Sequence, residues 1–201
     1  MLNDWINKTH LNKASSLKKS FNKQPFPHHL LKNFLIPSKI TKIIKIIDKE
    51  KYSEKNTDLF HIHQTQDLKF AKTKALKEFY QFISSREFIS FIEKITNKRL
   101  SKKIDVSSLK LKKINYLLCH DDQLSNRKLA FILYLTTLKK SDGGSLSFFT
   151  AKNKKPHEVI KSFYPVSNSF MIFEVSDKSF HQIDEVLSGK QRITIGGWFH
   201  D

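Results

Sequence analysis

One cysteine, Cys119, is all the chain contains, so no internal disulfide can brace it, and a reducing compartment is the natural expectation. Long apolar runs are missing as well. The best, Leu129 to Leu138, is about half of the roughly 20 residues that span a bilayer, which excludes a transmembrane helix. The first residues, Met1-Leu2-Asn3-Asp4-Trp5, include an acid and lack the apolar stretch of a secretory signal. A cytoplasmic protein without a membrane partner is therefore expected. Neither an internal repeat nor a low-complexity segment stands out, and arginine is confined to Arg86, Arg99, Arg127 and Arg192.

What the chain does have is length enough for one sizeable core, with 201 residues of which 39% are hydrophobic, and too little for two full domains. Its formal charge is +17. Clustered Lys and Arg neutralise phosphates, which raises the prospect of a nucleic-acid partner. Here the charge is nearly all lysine, in a chain also rich in Ile, Asn and Phe, the composition an A+T-rich genome writes onto any surface. Solvated lysine faces are the favoured reading, with nucleic acid met only indirectly, for instance by an enzyme working near the ribosome.

Residues 1–24 are polar and lysine-rich without a sustained apolar period, and they end at Pro25-Phe26-Pro27, which forces extended backbone. They read as a basic N-terminal arm or a loosely packed helix, leaving 25–201 as the main domain. Beyond Pro37-Ser38, the residues Ile40, Ile43, Ile44 and Ile47 recur at helical spacing, with Ser38 placed as N-cap. Helical patterns return from Leu68 to Ile83 and from Ser85 to Asn97. From about Asp105 the signal changes to short β-rich runs: Ile114 to Cys119, Lys128 to Thr136, Ser145 to Phe149, Glu158 to Tyr164, Ser169 to Glu174, Phe180 to Val186 and Arg192 to Phe199. Turn-forming stretches such as Asp142-Gly143-Gly144 and Ser188-Gly189 divide them. Seven such strands in under 100 residues predict an α+β fold, a β-sandwich or jelly roll buttressed on one sheet by the N-terminal helices.

The informative segment is Cys119-His120-Asp121-Asp122, followed 61 positions after His120 by His181 in Ser179-Phe180-His181-Gln182. A His-x-Asp pair at a strand end and a distant His on another strand can occupy one face of an octahedral metal, leaving the other face open for chelating ligands and O2. Two imidazoles and one carboxylate suit Fe(II), where Zn²⁺ would more usually take thiolates or a third His. Along a strand the i and i+2 side chains share a face, so His120 and Asp122 are expected to converge while Asp121 points elsewhere. By itself a His-x-Asp pair is a weak signal. Arg192 strengthens it, lying 11 residues after His181 in Gln191-Arg192-Ile193-Thr194-Ile195. A strand–turn–strand of that length, with Gly189 in the turn, should bring Arg192 beside the His181 strand and into the same cavity. A buried guanidinium fork needs an anionic partner, and the distal carboxylate of a dicarboxylic acid matches it with two parallel bonds. Thr194, two residues on, shares that face and can add a hydroxyl.

These residues carry a resemblance. The stretch His120-Asp121-Asp122, the run Arg127 to Leu135, Asp142-Gly143-Gly144, Ile172 to Ser176, Lys178 to Gln182, and Gly197-Trp198-Phe199-His200 together resemble the 2-oxoglutarate-dependent prolyl hydroxylases that modify ribosomal protein uS12. The likeness extends upstream to Pro25-Phe26-Pro27-His28 and Gln64 to Leu68. It implies a double-stranded β-helix (jelly-roll) fold, iron at His120, Asp122 and His181, and 2-oxoglutarate held by Arg192 and the phenol of Tyr134. The implied cofactor set is Fe(II), 2-oxoglutarate and O2, with ascorbate as a candidate reductant, and the implied substrate is a prolyl residue of a ribosomal or translation-related protein. Eukaryotic members carry a second β domain after this one; the chain stops at Asp201, so that domain is expected to be absent. Related enzymes place a Tyr nine residues and a Gly six residues before the first iron His, where this chain has Leu111 and Ile114. Losing the Tyr should remove one cosubstrate contact or reshape the substrate mouth.

Two other readings compete: a hydroxylase of a free amino acid or small metabolite, and a non-catalytic module whose lysine-rich surface holds RNA or ribosome. Retention of His120, Asp122, His181 and Arg192 together counts against the second. His61-Ile62-His63 is more simply strand alternation than a metal site. Phe82, Phe88, Phe91, Phe148, Phe149 and Phe173 read as core, Cys119 as a small packed residue, and Trp198 as either pocket wall or core.

Overall fold

A computed structural model describes residues 2–21, 24–124 and 126–201. Its helices come mostly first: α1 (Lys8–Asn12) and α2 (Ala14–Lys19), then strand β1 (His28–Leu31), α3 (Pro37–Ile47), the hairpin of β2 (Tyr52–Asn56) and β3 (Phe60–Thr65), α4 (Lys74–Ile83) and α5 (Arg86–Thr96). Eight strands follow: β4 (Ile104–Leu111), β5 (Tyr116–His120), β6 (Arg127–Tyr134), β7 (Leu146–Lys152), β8 (Lys155–Phe163), β9 (Phe170–Glu174), β10 (His181–Ile183) and β11 (Arg192–His200). They pair antiparallel in the orders β9-β6-β11-β4 and β5-β10-β7-β8, joined where β3 pairs with both β4 and β5. The chain therefore changes sheet at every step except the β7–β8 hairpin, which is the winding of a jelly roll. The expected α+β jelly roll with buttressing helices is the fold observed.

The alternation of side chains in these strands creates two cores. On β9, Phe170 and Ile172 face the helices while Met171 and Phe173 face the interior between the sheets. On β6, Leu129, Phe131 and Leu133 go to the helices, and Ala130 and Tyr134 go inward. A strand covered on both faces reads as a continuous apolar run, which is why β9 is buried along nearly its whole length. Phe79, Phe82, Phe88, Phe91 and Ile92 of α4 and α5 complete the outer core. Burying one such phenylalanine contributes roughly 1.5–3 kcal/mol.

Several local expectations change. α3 begins at Pro37, preceded by extended Ile36, so Ser38 is not its N-cap; proline is tolerated in the first turn because its missing N–H would be unpaired there anyway. The pattern from Leu68 to Ile83 splits into a 3-10 turn, Leu68–Phe70, and α4, because Ala71 between them is extended. α5 keeps its boundaries: the Ser85 hydroxyl accepts from Phe88 N–H at 3.2 Å, and Asn97 ends the helix in a left-handed conformation. The run from Phe180 to Val186 contributes only the three residues of β10 to a strand. Residues 2–21, read above as a basic arm or loosely packed helix, carry α1 and α2 and send Trp5, Ile6 and Ala14 into the outer core, with Trp5 stacked on Phe82 at 4.8 Å between centroids. No helix among the described residues is long and apolar enough to cross a membrane.

Candidate metal centre and anion pocket

Antiparallel pairing of β5 with β10 sets His120 directly opposite His181. Opposed residues hold their Cβ atoms about 4.5–5.5 Å apart, and the two imidazoles come to 4.3 Å between centroids. Each ring is oriented from behind, Nδ1 of His120 lying 2.7 Å from the Leu118 carbonyl and Nδ1 of His181 lying 2.7 Å from the Ser179 carbonyl. A carbonyl can only accept, so each Nδ1 carries the proton and each Nε2 is left with a lone pair. Those lone pairs meet the Asp122 carboxylate, at 3.5 Å from His120 and 3.4 Å from His181. The ligand atoms of all three lie within 4.8 Å of one another, the one such gathering of three His, Cys, Asp or Glu side chains among the described residues.

Asp122 arrives by a different route from the one expected. β5 ends at His120, and Asp122 follows it with φ at 63°, so a left-handed turn aims the carboxylate rather than strand alternation. A non-glycine residue held there is strained, and such strain concentrates at functional sites. Asp121 is turned away, its carboxylate accepting from Gln123 N at 3.1 Å and Gln123 Nε2 at 2.9 Å. Burial lowers the His120 pKa, and the neighbouring His181 lowers it further. Burial by itself pushes Asp122 up, but the close approach of His181, and then of His120, outweighs it and holds the carboxyl well below its usual range. Neutral His120 and ionised Asp122 are the forms that bind a divalent metal.

Arg192 enters from the opposite wall. Its strand does not lie beside the His181 strand as expected: β10 pairs with β5 and β7, whereas β11 pairs with β4 and β6. The connection after β10 crosses between sheets, and the inward side chains of β11 then face the imidazoles across the interior. Arg192, Thr194 and Trp198 line the same cavity, of about 420 Å³, as His120, Asp122 and His181. Trp198 is therefore pocket wall.

The Arg192 guanidinium is completely buried; Nε donates to the Gly144 carbonyl at 3.0 Å, while Nη1 and Nη2 have no partner. Its Cζ lies 5.3 Å from the centre of the Tyr134 ring, whose buried hydroxyl also has no partner. Burial lowers the Arg192 pKa and raises that of Tyr134. A buried cation without a counter-ion costs several kcal/mol, so the pocket suits an anion that the chain does not itself supply. The turn at Gly143-Gly144 helps to make it. Both residues have positive φ, and a Cβ on Gly143 would sit 2.2 Å from the Glu185 carbonyl, so only glycine lets the turn deliver its carbonyl to Arg192.

Sequence reasoning missed Arg127, whose guanidinium stacks on Trp198 at 3.5 Å and sets Nη1 3.6 Å from Asp122 Oδ1. The available signals were slight: Trp198 is six residues after Arg192 and so shares its face, and Arg127 is one of four arginines. Leu111, at the expected Tyr position, is buried in the inner core, while Ile114, at the expected Gly position, has φ at 68° and is 58% exposed. A left-handed backbone is the physical reason a glycine belongs there. In the His61-Ile62-His63 run, Ile62 is core and His61 pairs with Glu54 at 2.6 Å, as simple strand alternation requires. The half-buried Cys119 thiol is pushed up to about 11, by burial first and then by Asp121, which disfavours the reactive thiolate.

Residues 106–200 match the model of the 2OG-Fe(II) oxygenase superfamily. Prolyl 3-hydroxylase OGFOD1 of Xenopus laevis is 39% identical over 180 residues, covering 88% of this chain and 35% of that protein. Prolyl 3-hydroxylase sudestada1 of Drosophila melanogaster is 33% identical over 168 residues, covering 79% of this chain and 31% of that protein. The chain thus spans about a third of the length of these curated relatives. Among solved structures, a prolyl-4-hydroxylase of Pseudomonas putida superposes with a TM-score of 0.71 at 14% identity, covering 93% of this chain and 98% of that one. A Trichoplax adhaerens prolyl hydroxylase, in complex with a hypoxia inducible factor peptide fragment, gives 0.73 at 14% identity, with 97% and 94% covered. At such identities the superpositions speak to the fold.

Proposed function

From a chain that belongs to the 2OG-Fe(II) oxygenase superfamily, we propose an Fe(II)- and 2-oxoglutarate-dependent dioxygenase that hydroxylates a prolyl residue of a protein substrate. Residues 25–201 would form the oxygenase unit, with 1–24 as a basic segment attached to it. A ribosomal or translation-related target rests on the resemblance noted in the sequence, and the prolyl target on that together with the names of the relatives. Ascorbate remains a candidate reductant for the iron.

The observation that carries the reading is the unpaired Nη pair of Arg192, buried in the same cavity as three converging metal-type ligands. When bound, iron and 2-oxoglutarate supply the oxidising chemistry that turns a substrate C–H into C–OH, using O2 and releasing succinate and CO2. The chain's part is positional. Nε2 of His120, Nε2 of His181 and the Asp122 carboxylate would hold the metal on one side, with the cavity on the other. The backbone carbonyls of Leu118 and Ser179 keep both imidazoles in the required tautomer. The Arg192 fork would clasp the distal carboxylate of the cosubstrate, with the hydroxyls of Tyr134 and Thr194 beside it. Apolar walls such as Ala130, Leu146 and Phe173 exclude water around that charge pair and so strengthen it.

The experiment is incubation of the chain with Fe(II), 2-oxoglutarate and O2, with and without a proline-containing ribosomal peptide. Succinate release stimulated by the peptide, and a one-oxygen mass gain on its proline, are expected. No succinate in either condition from folded protein would sink the enzymatic reading, whereas oxygen added only to a free amino acid would move the substrate to the small-metabolite class.

A further inference from the structure

Two of the four arginines belong to the cavity; the other two, Arg86 and Arg99, lie at a second depression that shares no lining residue with it. Helix α5 explains the surface. Phe88, Ile89, Phe91, Ile92 and Ile95 are buried, which leaves Arg86, Ser90, Lys94 and Asn97 at three- and four-residue spacing on the outward face. Beside that face α2 supplies Lys18 and Lys19, and Lys98 and Arg99 follow the helix end.

Six cations line this groove against one carboxylate, Glu93, whereas the whole chain has 36 cations to 19 carboxylates. The groove is thus richer in cations than the chain as a whole, and what distinguishes it is how few of them are paired. Glu93 is also already engaged, Oε2 pairing with Arg86 at 3.0 Å and Oε1 accepting from Leu100 N at 3.0 Å. Lys98 pairs with Glu174. Among the described residues, Lys18, Lys19, Lys94 and Arg99 have no carboxylate partner. No aromatic side chain lines the groove, so single-stranded bases find no stacking platform, and its one apolar residue, Leu100, is buried and offers no anchor to a protein partner. What remains is a row of cations along about 16 Å of helix, with the neutral donors Ser15, Ser90 and Asn97 among them. That combination suits the phosphates and 2′-hydroxyls which A-form RNA displays across its shallow minor groove.

We propose that the α2–α5 groove binds the backbone of duplex RNA, with Lys18, Lys19, Lys94 and Arg99 contacting about four phosphates. It would dock the chain on structured RNA without reading sequence, and it is independent of the oxygenase reading because binding needs no turnover.

The test is fluorescence anisotropy of a labelled RNA duplex with the full chain. Four phosphate contacts should weaken wild-type binding roughly 100-fold between about 50 and about 200 mM salt. The variant K18E/K19E/K94E/R99E should lose at least tenfold in affinity and show a shallower salt slope, while reversing four exposed lysines elsewhere (K72E/K152E/K154E/K155E) should leave affinity within about threefold. Melting temperatures check that both variants fold; if the first does not, the pair K94E/R99E replaces it. The proposal falls if wild type does not bind the duplex at low salt, or if the control reversal costs as much as the groove reversal. It falls equally if a DNA duplex of the same sequence binds as tightly, or if anionic vesicles bind through the groove while RNA does not.

Discussion

Replacing Arg192 with methionine removes a completely buried cation while keeping most of its aliphatic volume, and the consequence for stability can be worked from its contacts. Nη1 and Nη2 have no partner within the chain, and each orphaned buried donor costs about 1–3 kcal/mol. Against that, the substitution leaves the buried Gly144 carbonyl without the 3.0 Å bond from Nε, and an unsatisfied buried acceptor likewise costs about 1–3 kcal/mol. The net expectation for Arg192→Met is a gain of about 2 kcal/mol in the absence of cosubstrate. For a domain of this size that raises the melting temperature by about 4–8 °C. Cosubstrate should reverse the order of response. At a hundred times its dissociation constant, 2-oxoglutarate stabilises the wild type by about 2.7 kcal/mol, and it should do nothing for the variant. Thermal unfolding followed by circular dichroism, with a redox-inert divalent metal and with or without 2-oxoglutarate, reads both effects. A variant that melts below wild type without cosubstrate, or one still stabilised by it, would refute the account of Arg192 as an anion anchor held at a cost.

Four further outcomes are expected. Arg192→Lys should weaken 2-oxoglutarate more than metal, because lysine keeps the charge but loses the fork; titrations showing equal weakening of the two would oppose this. His120→Ala, Asp122→Ala and His181→Ala should each abolish metal-dependent succinate release while leaving the circular dichroism spectrum intact, and full activity in any one of them would remove that residue from the metal site. Ile114→Gly should stabilise the chain by about 0.5–1 kcal/mol, since it relieves a β-branched residue at φ 68° at the expense of some backbone entropy; a lowered denaturation midpoint would show that the turn is not strained. His28, His29 and His120 all have pKa values lowered chiefly by burial below the ordinary 6.5. The unfolded chain therefore binds more protons than the folded one just below that pH, so stability is full above it and declines as pH falls through it. Melting temperatures that stay level or rise from about pH 7.5 to about pH 5.5 would contradict the assignment.

Much of this molecule was legible in the sequence because its strongest regularities are local. Period-two alternation sorts Phe170 and Ile172 from Met171 and Phe173, and the same period places Arg192, Thr194 and Trp198 on one face of β11. The apolar stripe of α5 and its Ser85 and Asn97 caps lie within a few residues of one another. The chemical set His120, Asp122, His181 and Arg192 was likewise readable as residue types at suggestive spacing. Tertiary structure decided how these pieces meet. Strand partners are chosen by packing between distant segments, so nothing near Arg192 disclosed that β11 would lie in the sheet opposite β10 rather than beside it. The left-handed turn at Asp122, the Gly144 carbonyl beneath Arg192 and the stacking of Arg127 on Trp198 each depend on a neighbour tens of residues away or on a backbone angle that side-chain identity does not announce. Lysine-rich residues 8–19 have too weak an apolar period to show which face is covered; only the packing of α2 beside α5 reveals where their charge collects.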